Sequence, residues 1–169
     1  MDNLDIEWTR VTEVLQRYAE EFIKEARANL GKNNSYASGA LGDTMKPLIE
    51  IGEDEFKVSI YLEDYWVYVE NGRRAGAKRP PIAAIKEWIE VKPIIPEDRG
   101  DGVPTTDQLA FLISRSIGEN GIAPKPFFEP AKESVYKRFE QELIYAVRED
   151  IAAYVENVLV MYYNMLKGI

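Results

Sequence analysis

The stretch Phe56 to Lys92, FKVSIYLEDYWVYVENGRRAGAKRPPIAAIKEWIEVK, is where the fold is decided. Phe56, Val58, Ile60 and Leu62 alternate with Lys57, Ser59, Tyr61 and Glu63, the two-residue period of a half-buried strand. After Asp64, the run Tyr65-Trp66-Val67-Tyr68-Val69 is β-branched and aromatic with no glycine or proline, so it is expected to be the paired strand of a hairpin. Glu70-Asn71-Gly72 ends that pattern, and Arg73, Arg74, Lys78 and Arg79 crowd a Gly/Ala-rich tip. Pro80-Pro81 closes the tip. Ile82, Ile85 and Ile89, with Trp88 beside them, then fit one face of a helix over 82–90.

Outward from this stretch the chain is mostly helical in pattern. Leu4, Trp8, Val11, Leu15, Tyr18 and Phe22 step by four and three, and Ile23, Ala26 and Leu30 continue the stripe. This predicts a first helix over 4–30 with Gly31 as its C-cap. Residues 32–42 read as a connector, and Leu41, Met45, Leu48 and Ile49 as a helical turn or an irregular strand. Glu50 to Glu55 reads as a strand end and an acidic turn, without the spaced ligands of a calcium loop. Three prolines and two glycines make 91–104 a long irregular connection. Thr105 or Thr106 caps a further helix whose expected buried face is Leu109, Leu112, Ile113, Ser116 and Ile117, ending at Gly118 or Gly121. Residues 122–130, IAPKPFFEP, are extended by their prolines. Phe127 and Phe128 either anchor a partner or pin the segment onto its own domain. The last helix is expected from about Ala131 towards Leu166, roughly 50 Å at 1.5 Å per residue. Its stripe is Val135, Phe139, Leu143, Val147, Ile151, Tyr154 and Val158, and 158–163 is apolar nearly all round.

Composition narrows the function classes. The 169 residues carry a formal charge of −8, which argues against a nucleic-acid binder relying on global charge. There is no cysteine and no histidine, so disulfides, thiol nucleophiles, the usual zinc ligands and every His-based catalytic arrangement are excluded. No apolar run reaches the roughly 20 residues of a membrane span, and the N-terminus is no signal peptide. The expectation is a soluble chain made in a cytoplasm. Carboxylate neighbours such as Glu63 with Asp64 and Glu149 with Asp150 point apart on regular elements. No catalytic residue, metal ligand or cofactor site is assigned, and the chain is not expected to be an enzyme.

Two stretches carry a resemblance. Tyr65-Trp66-Val67-Tyr68-Val69-Glu70-Asn71-Gly72 fits a Tyr-x-x-Tyr-Val-Glu-x-Gly pattern followed by a basic loop, and Pro126-Phe127-Phe128-Glu129-Pro130-Ala131 fits Pro-Phe-(Phe/Leu)-x-Pro-Ala before a C-terminal helix. In this order, over about residues 5–165, the chain resembles the head-tail joining, tail-completion (neck) proteins of tailed bacteriophages. The helix at 82–90, its proline-rich loop and the long last helix depart from that pattern. The resemblance implies a virion structural protein, a connector assembling as a ring of six or twelve copies between portal and tail with a passage for DNA. Its location would be the virion neck or tail, after synthesis in the host bacterial cytoplasm.

On that view Arg73, Arg74, Lys78 and Arg79 meet either an acidic neighbouring subunit or passing DNA, subunit docking being preferred on a chain of charge −8. The bland alternative is a solvated tip. Pro126, Phe127, Phe128 and Pro130 mark the candidate interface segment. The fold expected is α+β: one domain over 1–169, with a small antiparallel sheet around 48–70 flanked by long N- and C-terminal helices and two shorter ones. Rival functions are a cytosolic adaptor and a small-ligand or enzyme module using the sheet-helix cleft through Tyr and Glu groups.

Overall fold

The computed structural model describes residues 5–33, 40–52, 55–91, 94, 96, 100 and 102–167. In chain order it holds α1 (Thr9–Lys32), α2 (Ala40–Asp43), β1 (Lys46–Ile51), β2 (Phe56–Tyr61), α3 (Trp66–Asn71), α4 (Ile82–Val91), α5 (Thr106–Asn120) and α6 (Phe128–Lys167). The class is α+β, as expected. Among the described residues, no helix is long and apolar enough to cross a membrane.

The chain divides into two compact units. The first takes residues up to Glu25, Lys46–Tyr61 and the chain from Pro130 onward; the second takes Ala26–Met45 and Leu62–Glu129. In the first unit the amphipathic stripe of α1 is buried at Val11, Val14, Leu15, Ala19, Phe22 and Ile23, and α6 buries Ala131, Val135, Phe139 and Ala146. Cross-helix pairs set the two antiparallel: Arg17 with Glu142 at 2.6 Å, Tyr18 edge-on to Phe139 at 5.9 Å, and Arg138 with Glu21 at 3.7 Å.

Among the described residues the sheet has two strands, β1 and β2, antiparallel, with Pro47 opposite Ile60 and Glu50 opposite Lys57. Both strands are edges, so Pro47 can sit in β1 without removing hydrogen bonds from a central sheet. Glu50 and Lys57 add a cross-strand ion pair at 3.3 Å. Trp8 packs edge-on against Phe56 at 5.0 Å. The alternating stretch is thus a strand, but its partner precedes it. Of Tyr65–Val69, expected as the second strand, Trp66–Val69 lie in the short helix α3 and Tyr65 is its N-cap. As a strand, Trp66 and Glu70 would stand about 13 Å apart; on a helix they are one turn apart, about 6 Å. Only the helix lets both reach the start of α6, as described below.

In the second unit, Ile85 and Ile89 of α4 and Ala110 of α5 form a cluster, with Leu109, Ile113 and Ile117 against it. The buried face of α5 is Ala110, Ser114 and Gly118; the expected Leu112 and Ser116 are exposed. Small residues four apart let other backbone come close: the Ser114 hydroxyl donates to the Pro80 carbonyl at 2.7 Å, and the Gly76 N–H to the Gly118 carbonyl at 2.8 Å. Thr105 is the N-cap of α5, in a capping box with Gln108, and Gly121 ends the helix at φ 73°. Gly31 is not a C-cap, since α1 continues to Lys32. Leu4, most of the 32–42 connector, Glu53 and Asp54 of the acidic turn, and most of 92–101 lie outside the described residues.

Candidate functional site

Sequence puts the tip (73–79) and the Pro-Phe-Phe segment more than forty residues apart, but the fold joins the chain at their bases. Arg73 and Ile122 form an antiparallel bridge, the Arg73 N–H donating to the Ile122 carbonyl at 2.8 Å and the Ile122 N–H donating back at 2.9 Å. The Lys125 N–H reaches the Val69 carbonyl at 2.9 Å. Two glycines make this approach possible. Gly72 has φ 66° and Gly121 φ 73°, the left-handed region that favours glycine. A Cβ on Gly72 would collide with the backbone at Ile122 and Pro124, and one on Gly121 with the backbone at Arg73 and Ala75.

Glu70 completes the junction. Its side chain is buried, and its carboxylate accepts from the N–H groups of Phe127 at 2.7 Å, Phe128 at 2.9 Å and Glu129 at 3.1 Å. These are orphan donors at the start of α6, where the next residue, Pro130, has no N–H. Phe127 offers no side-chain cap of its own, so a carboxylate from α3 supplies the cap and meets the positive end of the helix. This is why α6 begins at Phe128 rather than near Ala131. Trp66, one turn before Glu70, lies 5.2 Å from the Phe128 ring. Asn29 and Asn33 donate to the carbonyls of Phe127 and Pro126 at 3.2 and 2.9 Å.

The candidate residues separate on this geometry. Phe127 is fully buried and Phe128 half-buried, so these rings pin the segment onto their own unit; Pro126 and Pro130 are exposed. Arg73 is engaged locally: its Nη2 donates to the Lys78 carbonyl, and its guanidinium lies 5.7 Å above the Tyr68 ring. Its Nε is buried without a hydrogen-bond partner among the described residues. Arg79 stands 3.6 Å from Glu119, and its Cγ occupies the space a Cβ on Gly118 would need. Arg74 and Lys78 are exposed and have no ion pair among the described residues. The tip therefore presents chiefly two cations rather than four.

Glu119 also accepts from the Arg115 Nε at 2.8 Å, a hydrogen bond that holds its carboxyl below the ordinary glutamate range, with the Arg115 and Arg79 charges acting in the same direction. In the first unit, sequence reasoning missed Asp150. Its buried carboxylate accepts from the N–H groups of Arg10 at 3.2 Å and Val11 at 3.0 Å and pairs with the Arg10 guanidinium at 3.2 Å, capping α1 from a position 140 residues away in sequence. Both missed carboxylates share a signal: a helix whose preceding residue, Trp8 or Phe127, cannot cap it.

An open cleft of about 520 Å³ in the first unit is lined by Asp5, Glu7, Glu13, Asp150 and Tyr154. Both oxygens of Asp150 are already engaged by α1. No group of three or more metal-ligating side chains occurs among the described residues. Compared with known proteins, the chain matches no family model, no curated protein and no solved structure.

Proposed function

We propose that this protein is a ring-forming connector subunit at the head-tail interface of a tailed phage, joining portal side to tail and leaving a passage for DNA. The observation that carries this reading is the meeting of the two stretches behind the resemblance. Glu70 and Gly72 of the first have their partners in residues 122–129, in and just before the second. Each residue type then has a physical role. Glu70 accepts from three donors, Gly72 permits a close backbone crossing, Phe127 is a buried anchor and Pro130 sits in a helical first turn. Two degenerate patterns that build one junction make a stronger resemblance than either does alone.

In this reading the scaffold holds out a basic tip, and Arg74 and Lys78, with Arg79 beside them, dock on acidic surface of a neighbouring copy. The charge of −8 supplies such surface. Long-range attraction of this kind weakens with salt. Phosphate contact with DNA in the passage is the alternative use of the same cations. The test is the mass of the purified protein in solution, alone and mixed with purified portal complexes. A closed ring, or joining to the portal complex, supports the connector. A chain that does neither removes it and favours a cytosolic adaptor.

A further inference from the structure

The outer face of α6 has no partner in its own unit. Ile144, Ile151, Val155, Leu159, Tyr162 and Leu166 are all exposed, although at 3.6 residues per turn they fall within a stripe about 80° wide. The buried positions Val135, Phe139, Ala146 and Asp150 lie on the opposite side of the helix. Charge is nearly absent here: from Ile151 to Leu166 the only charged residue is Glu156, which lies off the stripe. A helix face rich in Ile, Leu, Val, Tyr and Met and poor in Lys, Glu and Asp has the composition of an interface centre rather than of solvated surface.

The spacing says what covers it. Laid antiparallel on a second copy of itself about Val155, the stripe is self-complementary. Val155 meets Val155, Ile151 meets Leu159, Ile144 meets Leu166, and Arg148 comes opposite Tyr162. The aliphatic positions Ile144, Ile151, Val155, Leu159 and Leu166 face one another, and the one cation on the stripe, Arg148, faces the ring of Tyr162. Arg148 already lies 6.0 Å over its neighbour Tyr145, so a ring-face contact suits it. An unrelated partner would not need this two-fold symmetry, whereas an isologous dimer requires it. The six side chains offer on the order of 600 Å² per copy; Ala152, Tyr163 and Met165 alongside bring this near the roughly 800 Å² per partner of a standard interface.

We propose that α6 is a homodimerisation helix, pairing antiparallel with α6 of a second copy about a two-fold axis at Val155. The pairing stands on α6 alone and does not rest on the connector reading. Because the chain has no cysteine, each introduced thiol is the only one present. The full-length V155C variant should form a disulfide-linked dimer on mild copper-catalysed oxidation, its two thiols meeting at the axis. I144C and L166C should each stay unlinked alone and cross-link when mixed. Linking of I144C or L166C to itself as readily as V155C would overturn the antiparallel register.

In sedimentation the wild-type chain should show twice its 19.3 kDa mass, or an even multiple of it. I151K, at an exposed position, should weaken dimerisation at least about 100-fold, since each copy buries one unpaired charge. Its far-UV circular dichroism should stay unchanged. A wild-type monomer, or an I151K variant that associates as the wild type does, would overturn the proposal. Failure to join portal complexes would count against the connector alone and leave the V155C result standing.

Discussion

Replacing Glu70 by alanine tests the junction beneath the tip. The substitution removes three hydrogen bonds to an ionised acceptor, at 2.7, 2.9 and 3.1 Å, and leaves three N–H groups at the start of α6 without that partner. Hydrogen bonds to charged groups contribute about 1.5–3 kcal/mol each, and the helix N-terminus adds about 0.5–1 kcal/mol. Two effects reduce the sum: the mutant no longer buries a carboxylate, and water can enter the space left by the side chain. The net loss expected is about 4 kcal/mol. Glutamine keeps one oxygen for two of the donors but turns an N–H towards the third, so Glu70→Gln should lose about 2 kcal/mol. Urea unfolding followed by Trp fluorescence and circular dichroism reads the difference. With a slope of about 2 kcal/mol per molar, Glu70→Ala should lower the midpoint by about 2 M with the slope unchanged. Trp66, stacked near Phe128, reports on this junction directly. A Glu70→Ala variant within about 0.5 kcal/mol of wild type would refute the capping role.

Four further outcomes follow from the same geometry. Asp150→Ala should cost about 2–4 kcal/mol by uncapping α1, and hydrogen exchange should rise first at Arg10 and Val11. Gly72→Ala and Gly121→Ala should each cost at least about 3 kcal/mol and yield little folded protein, because the added Cβ meets backbone in a left-handed conformation; thermal melts of whatever is recovered give the comparison. Arg74→Glu with Lys78→Glu should leave the melting temperature within a degree or two and, on the proposed connector reading, abolish incorporation into phage particles, whereas Arg73→Glu should also destabilise the fold, since Arg73 is held by the Lys78 carbonyl and the Tyr68 ring. For Glu119, NMR titration should find a carboxyl pKa below the ordinary glutamate range that rises in Arg115→Ala. A lowered folded-state pKa means the stabilisation is present above the unfolded value and is lost as pH falls through the folded one, so acid and not base should weaken this pair.

Where a side chain's neighbours lie within a turn or a strand of it, the sequence is readable. The alternation that begins at Phe56, the α1 stripe, the helix expected over 82–90 and the cap expected at Thr105 or Thr106 all rest on period or on partners three or four residues away, and the structure has β2 over 56–61, α4 over 82–91 and the cap at Thr105. The misplaced strand shows where local reading stops. Tyr65–Val69 has the composition of a strand, but β-propensity measures fit to a pleated neighbour, and here Trp66 and Glu70 instead meet Phe128 and the N–H groups at the start of α6 from one turn of helix. The α5 face was misjudged by one position for a related reason. Large apolar residues mark the buried side of a helix only when its neighbour is a side chain, and at Ser114 and Gly118 the neighbour is backbone.

The sequence by itself determined the class of the molecule, the approximate positions of its four longer helices and the absence of thiol and imidazole chemistry, because composition and period are properties of the chain. Only the tertiary structure decided that Glu70 and Asp150 are helix caps, that Arg73 and Phe127 are bound into the scaffold, and that Arg74 and Lys78 are left facing solvent. The reason is distance: Glu70 finds its donors 57 to 59 residues away and Asp150 finds its own 139 to 140 away. No local period carries information over such separations. Whether a charged side chain is buried as a cap or free to meet a partner is settled only when remote backbone arrives beside it.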